Sequence, residues 1–320
     1  MSTQNLAIGV DIGGTKIAAG LIDGTGRVVT RAQRPTVGGD PTAVLHSVAE
    51  LVARVGQGHE NAVVGVGAAG WMDPTGSTVL FSPHLAWRDR SLRSELETVL
   101  GRDVLLNNDA DAAGWAEHRF GAARGHSHAV CLTLGTGIGG AIIIQGALQR
   151  GNFGVAAEFG HQIIVPGGQR CACGNRGCWE QYASGNALAR EGRSLMAVHS
   201  PVAQALRDAT QNDPQRVTGE LVVTLAAAGD SACLELVVEV GQWLGHGLAN
   251  LAAVLDPGIF VIGGGLGSSV PLLVQTAQES YRRALPGRGY RPFAEVLRAE
   301  LGPDAGMVGA ADLARIALAG

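Results

Sequence analysis

One pattern occurs twice along this chain: an apolar strand, a glycine-rich turn and a second apolar strand. The first copy covers residues 6–22 and the second covers residues 129–144. Such tips expose backbone N–H groups that can bind phosphate. Two α/β halves with tips of this kind are expected to bind a polyphosphate across a central cleft. The repeat therefore predicts an α/β protein with two related domains.

The segments between the tips support alternating strands and helices. Predicted strands cover residues 6–11, 17–22, 27–31, 62–66, 104–106, 129–134, 141–144 and 259–262, and predicted helices cover 41–55 with Asp40 as N-cap, 91–100, 110–118 and 306–318. We place an N-terminal α/β domain at residues 1–112, joined by the C-terminal helix (about 306–320), and a larger domain at 113–305. Residues 201–228 carry helical periodicity and are interpreted as structural.

A cysteine-rich segment predicts a metal centre. His161, Cys171, Cys173 and Cys178 form a complete ligand set for structural zinc. A redox pair or plain core packing remains the alternative, because the usual spacing is C-x₂₋₄-C and this chain has C-x-C. Cys131 and Cys233 each lie alone in an apolar run and are interpreted as core residues.

Composition narrows the possible partners. Glycine makes up 48 of 320 residues, or 15%, about twice the usual ~7%, which suggests many close backbone approaches. Lys16 is the only lysine and lies in the first tip, where an ammonium can bind phosphate. The formal net charge is −4 and the basic residues are scattered, so neither nucleic acid nor a membrane is an expected partner. Without a leader or a spanning segment in its sequence, the chain is expected in the cytoplasm.

Taken together, the motifs resemble those of the ROK family of sugar kinases and repressors, and most closely its bacterial glucokinases. The resemblance spans nearly the whole chain and is carried by Asp11-x-Gly-Gly-Thr-Lys16, Asn108-Asp109, Leu134-Gly-Thr-Gly-x-Gly-Gly140, Glu158-x-Gly-His161, Cys171-x-Cys-Gly-x-x-Gly-Cys-x-Glu180 and Gly263-Gly-Gly265. It implies the actin/hexokinase-like ATPase fold, ATP with Mg²⁺, structural zinc, and phosphorylation of glucose at its 6-hydroxyl as an entry to glycolysis. It also implies a homo-oligomer, either a dimer or a tetramer.

The resemblance also implies roles for individual residues. Asp109 is the expected catalytic base, and Asp11 is expected near the magnesium ion. The sugar is expected to contact Gly70, Asn108, Asp109, Glu158, His161 and Glu180, whereas the nucleotide is expected to contact Asp11, Gly13, Gly14, Thr15, Lys16, Gly135, Thr136, Gly137, Gly263, Gly264 and Gly265.

Several alternatives stay open at this point. Asp109 could instead serve as the N-cap of the helix that follows it. Asp111 is a rival carboxylate, although two positions along a helix turn it to nearly the opposite face. His84 replaces the asparagine common in the family, so another hexose or an N-acetylhexosamine is a possible acceptor. Polyphosphate is a possible donor, and a sugar-responsive repressor is disfavoured because no DNA-binding segment precedes Asp11 in the given sequence.

Overall fold

The computed structural model describes residues 5–82, 85–198 and 201–318. His84 lies outside the described residues. By its internal contacts the chain divides into two compact units. Unit 1 comprises Met1–Cys131, Gly140–Ala157 and Glu300–Gly320, and unit 2 comprises Leu132–Gly139 and Glu158–Ala299. The domain boundaries proposed from the sequence stay a prediction.

The described elements follow one another as alternating strands and helices. The strands are β1 Ala7–Ile12, β2 Lys16–Ile22, β3 Val28–Pro35, β4 Val63–Ala68, β5 Trp71–Met72, β6 Val79–Phe81, β7 Arg88–Arg90, β8 Val104–Asn108, β9 Ala129–Leu134, β10 Ile138–Ile144, β11 Ala147–Leu148, β12 Ile259–Gly263 and β13 Glu295–Arg298. The helices are α1 Pro41–Val55, α2 Leu92–Leu100, α3 Asp109–Phe120, α4 Gly185–Ala197, α5 Gln204–Thr210, α6 Gly219–Ala227, α7 Ser231–Leu255, α8 Gly264–Ser269, α9 Pro271–Ala284 and α10 Ala305–Leu318.

The main sheet of unit 1 has the order β3-β2-β1-β4-β8. Strands β1, β2 and β3 are antiparallel, and they form the predicted hairpin with its glycine tip. Strands β4 and β8 run parallel to β1. Because parallel strands end at the same edge of a sheet, the residues that follow β1, β4 and β8 emerge on one side. A second sheet has the order β11-β10-β9-β12-β13, and a small antiparallel sheet joins β5, β6 and β7.

Helix α10 lies against the sheet of unit 1 with almost no space between the two backbones. A Cβ atom added at Gly9 in β1 would lie 1.8 Å from the carbonyl oxygen of Met307, and one at Gly65 in β4 would lie 1.9 Å from that of Ala310. Only glycine permits such an approach, because real side chains do not come this close to backbone oxygens. Part of the high glycine content therefore serves packing and not ligand binding.

Helix ends follow the signals in the sequence. The side chain of Asp40 accepts hydrogen bonds from the backbone N–H groups of Thr42 and Ala43, which confirms it as the N-cap of α1. Among the described helices, none is by itself long and apolar enough to cross a membrane. Helices α6 and α7 pass that test on length and composition only when taken together, across a bend of 118°.

Candidate active site and metal centre

Two carboxylates meet near the edge of the sheet in unit 1. Asp11 is the next-to-last residue of β1, and Asp109 is the first residue of α3, directly after β8. Burial and, to a smaller extent, the negative charge of Asp109 together raise the pKa of Asp11 to about 7, against the opposing effect of the Lys16 ammonium. The sequence motifs Asp11-x-Gly-Gly-Thr-Lys16 and Asn108-Asp109 thus come together in space. Two neighbouring carboxylates offer the oxygen ligands that Mg²⁺ prefers.

Gly306, at the start of α10, makes room for the Asp11 carboxylate. A Cβ atom at this position would lie 2.7 Å from Oδ2 of Asp11. No sequence pattern indicates this role, because the two residues are far apart along the chain and a glycine near a helix start has many ordinary explanations.

The N-cap of α3 is Asn108, so the alternative in which Asp109 serves as the N-cap does not hold. Oδ1 of Asn108 accepts from the N–H groups of Ala110 and Asp111 at 2.8 and 3.0 Å. Its Nδ2 donates to the carbonyl oxygen of Gly70 at 3.0 Å, and one amide hydrogen remains for a further acceptor. Gly70 has φ of 145°, a conformation open to glycine. These bonds fix the backbone on both sides of Asp109.

Asp111 is almost completely buried and lies near Arg150. Its Oδ2 is 3.8 Å from Nε of that arginine, and only 3% of the residue is exposed. The rival carboxylate therefore lies beside an arginine inside unit 1, a pairing that the sequence analysis did not predict.

The predicted metal ligands come together in unit 2. The ligand atoms of His161, Cys171, Cys173 and Cys178 all lie within 4.8 Å of one another. The Sγ atoms of Cys173 and Cys178 are 3.6 Å apart, and Nδ1 of His161 is 3.6 Å from Sγ of Cys171. A tetrahedral zinc ion with Zn–S bonds of about 2.3 Å places its sulfur ligands about 3.8 Å apart. The donor set and its spacing therefore fit zinc, with Nδ1 as the ring nitrogen that faces the thiols.

Glu180 lies beside this cluster. Its Oε1 is 3.1 Å from Sγ of Cys171 and 3.8 Å from Nδ1 of His161. Its Oε2 occupies the space above Gly137, where a Cβ atom would lie 2.5 Å away. Glu180, a predicted sugar-binding residue, and Gly137, a predicted nucleotide-binding residue, are thus direct neighbours in unit 2.

Glu158 is the N-cap of a single 3₁₀ turn, Phe159–His161, and His161 is its last residue. The N–H of His161 donates to the carbonyl oxygen of Glu158 at 3.1 Å. Ala157, immediately before, has φ of 67°, which is uncommon for a residue with a side chain. Such strain is often found next to functional residues.

A cavity of about 510 Å³ lies entirely within unit 2. It combines the second glycine tip with the third glycine cluster and with the starts of α4 and α6. Its lining residues are Gly135, Thr136, Gly185, Asn186, Ala189, Arg193, Thr218, Gly219, Glu220, Val223, Gly265, Leu266 and Ser269. The volume is in the range of small-molecule sites.

Close glycine contacts hold the cavity together. Gly185 donates its N–H to the carbonyl of Gly135 at 2.8 Å, and a Cβ atom at Gly219 would lie 2.5 Å from the carbonyl oxygen of Gly185. Gly265 lines the cavity. Gly264 does not, but it packs against the backbone of Leu134, next to the second glycine tip.

Residues 201–228, interpreted from the sequence as structural, supply part of the cavity wall. Thr218, Gly219, Glu220 and Val223 line the cavity from α6 and its N-cap. Their contribution depends on the packing of Gly219 against Gly185, which no local pattern reveals. A Thr-Gly-Glu sequence at a helix start was the one available signal, and it also describes an ordinary capped helix.

Comparison with known proteins agrees with this architecture. The chain is 44% identical to a glucokinase from Streptomyces coelicolor over 98% of each chain. It is 45% identical, with a TM-score of 0.89, to the crystal structure of a ROK family glucokinase from Streptomyces griseus in complex with glucose and AMPPNP, covering 98% of this chain and 100% of that one. It is also 31% identical to an N-acetyl-D-glucosamine kinase from Salmonella heidelberg, over 95% of this chain and 98% of that one.

The fold is that of the actin/hexokinase-like ATPases, as in the ROK sugar kinases that the chain resembles in structure. Residues 7–317 match the model of the ROK family, and the chain belongs to that family. The resemblance seen in the sequence motifs is thereby confirmed.

Proposed function

We propose that this protein is a glucokinase, which transfers the γ-phosphoryl group of ATP to the 6-hydroxyl of glucose. The observation that carries the proposal is the full-length similarity to the Streptomyces griseus enzyme, which was solved with glucose and AMPPNP. The carboxylate pair in unit 1 and the cavity in unit 2 supply groups suited to this reaction.

Asp109 is the proposed general base. Its carboxylate accepts the proton of the 6-hydroxyl while the sugar oxygen forms a bond to the γ-phosphorus, and the bond from that phosphorus to the β–γ bridging oxygen breaks to release ADP. The proposal is supported by the setting of Asp109 on α3, because Asn108 and not Asp109 caps this helix. Asp11 would hold Mg²⁺, which when bound neutralises charge on the phosphates.

The sugar is proposed to bind through Gly70, Asn108, Glu158, His161 and Glu180. Carboxylate and amide oxygens are suited to hydroxyl donors, and a site built in this way rejects analogues that lack the hydroxyl. Zinc on His161 and the three thiols would act as a scaffold for the segment that carries Glu158 and Glu180. Because Nδ1 of His161 faces the thiols, Nε2 is the nitrogen proposed to contact the sugar.

The nucleotide is proposed to bind through the two glycine tips, with Asp11, Gly13, Gly14, Thr15 and Lys16 from unit 1 and Gly135, Thr136, Gly137, Gly263, Gly264 and Gly265 from unit 2. The cavity supports ATP over polyphosphate, since it extends from Thr136 along α4 as far as Arg193. An inorganic chain would leave that apolar extension unused.

The decisive experiment replaces Asp109 by asparagine. We expect Asp109→Asn to lose about 10²- to 10⁴-fold in kcat, the usual contribution of a general base, while glucose affinity and zinc content stay unchanged. Asp111→Asn is the matched control, because it removes the rival carboxylate from the same helix. Near wild-type turnover in Asp109→Asn, or a larger loss in Asp111→Asn at equal folded content, would reject the assignment.

An N-acetylhexosamine kinase is the second candidate, favoured by the similarity to the Salmonella enzyme. A panel of hexoses and N-acetylhexosamines, each with ATP and with polyphosphate, separates the possibilities when the sugar phosphate is identified by mass. Light scattering on the same sample tests the proposed dimer or tetramer.

A further inference from the structure

A single arginine lies far along the cavity wall from the glycine tip. Gly185, Ala189 and Arg193 follow one another at four-residue intervals on α4, so they share one face, and all three line the cavity. Gly185 contacts the tip directly through its bond to Gly135. Arg193 lies two helical turns beyond it, or about 12 Å along the helix axis.

The guanidinium of Arg193 is held in place. Its Nη2 donates to the carbonyl oxygen of Val217 at 2.8 Å, directly before the N-cap of α6. An arginine has five N–H donors in a planar fork, and one anchored nitrogen orients the others without using them all. This is a pre-oriented cation and not a mobile surface side chain.

Three of the other residues that line this cavity have apolar side chains. Ala189 lies one turn before Arg193, Val223 lies one turn after Gly219 on α6, and Leu266 enters from α8. The cavity therefore combines a glycine tip, suited to phosphates, with apolar wall residues and with one cationic donor two helical turns along α4 from that tip. A nucleotide has the same order: phosphates, then ribose, then a flat base whose edge carries acceptor nitrogens.

We infer that Arg193 is the residue that recognises the adenine base, by donating a hydrogen bond to an acceptor nitrogen on its edge, and does not bind the phosphates. This inference rests on the proposed function, since it takes ATP as the occupant of the cavity. The distance of Arg193 from the glycine tip supports the inference, because a triphosphate bound at that tip, as proposed above, leaves the cavity wall along α4 for the base.

The test compares three probes that contain different parts of ATP. Binding of ATP, adenosine and inorganic tripolyphosphate is measured by calorimetry, and KM is measured for ATP and glucose. Arg193→Met keeps the apolar stem but removes every donor. Arg190→Met is the matched control, because it removes the same charge from the same helix at a residue that pairs with Glu191 at 2.7 Å.

We expect Arg193→Met to weaken binding of ATP and of adenosine by a similar factor, on the order of tenfold, as for the loss of one hydrogen bond from a charged donor. Binding of tripolyphosphate, KM for glucose and kcat at saturating ATP should stay at the wild-type values, as should every value for Arg190→Met. Equal losses for tripolyphosphate and adenosine, or unchanged adenosine binding, would overturn the inference.

A second variant covers the case in which Arg193→Met folds poorly. Val223→Phe narrows the cavity from α6, one turn beyond Gly219, and leaves Arg193 in place. It should weaken adenosine but not tripolyphosphate, and the reverse pattern would place the base elsewhere and overturn the inference. Failure of the proposed function is separate: wild-type protein that binds ATP but phosphorylates no sugar would refute the glucokinase reaction, while the binding data would still decide the role of Arg193.

Discussion

The carboxyl group of Asp11 is expected to destabilise the folded protein at neutral and alkaline pH. Burial, together with the charge of Asp109, raises its pKa to about 7 from an ordinary value of 3.8. A difference of about 3 in pKa corresponds to about 4 kcal/mol, at 1.36 kcal/mol for each pH unit. Asp11→Asn, which keeps the shape of the side chain without its charge, should recover up to this amount.

The sign of the pH dependence follows from proton binding. Because the folded state binds the proton of Asp11 more tightly than the unfolded state does, stability falls as pH rises from about 4 to about 7 and is lowest above that range. The advantage of Asp11→Asn over the wild type should therefore be greatest near pH 8 and should vanish near pH 4. The same variant should lose turnover, since Asp11 is the proposed magnesium ligand.

Unfolding temperatures and denaturant midpoints across pH 4–8, in buffer without Mg²⁺ or nucleotide, measure the effect. Asp103→Asn, which removes a carboxylate at an exposed position, is the control and should not reproduce the trend. If Asp11→Asn were no more stable than the wild type at pH 8, or if its advantage grew toward acid pH, the account of a buried and repelled carboxylate would be refuted.

Two further predictions concern unit 2. Cys173→Ser should lose both zinc and activity, whereas Cys131→Ser, which lies outside the cluster, should keep its zinc. Elemental analysis measures the zinc content of both variants. Full activity in zinc-free protein would contradict the scaffold role. Gly264→Ala should lower the free energy of unfolding by about 1–3 kcal/mol, because φ is 79° and the new Cβ would lie 2.3 Å from the carbonyl oxygen of Leu134. Gly265→Ala, where no atom lies within 4 Å, should change stability little, and equal effects in the two variants would argue against the strain.

The features that the sequence predicted correctly were those whose signal lies within a short segment of the chain. Apolar runs and glycine turns placed the ends of β1, β2 and β9 within a residue or two. The residue types at the candidate metal centre predicted a cluster of ligands, and the structure brings these ligands together. Hydrophobic periodicity and ligand chemistry are local properties, so they can be interpreted without knowledge of how the chain packs.

Features that depend on packing were harder to predict. Asparagine and aspartate cap helices about equally well, so the choice between Asn108 and Asp109 depended on where α3 begins, which sequence patterns fix only within a residue or two. The role of Gly219 depended on its approach to Gly185, and that of Gly306 on the position of Asp11. For both glycines the partner lies elsewhere along the chain.

The glycine contacts beneath α10 also bear on how the protein is synthesised. Met307 follows its partner Gly9 by 298 positions, yet both belong to unit 1, and the whole of residues 158–299 is translated between them. On the ribosome, the sheet of unit 1 must therefore wait with an apolar face uncovered until its last helix emerges. Such a nascent chain is exposed to aggregation for most of its synthesis, and a chaperone that shields β1 and β4 during this interval would raise the yield of native protein.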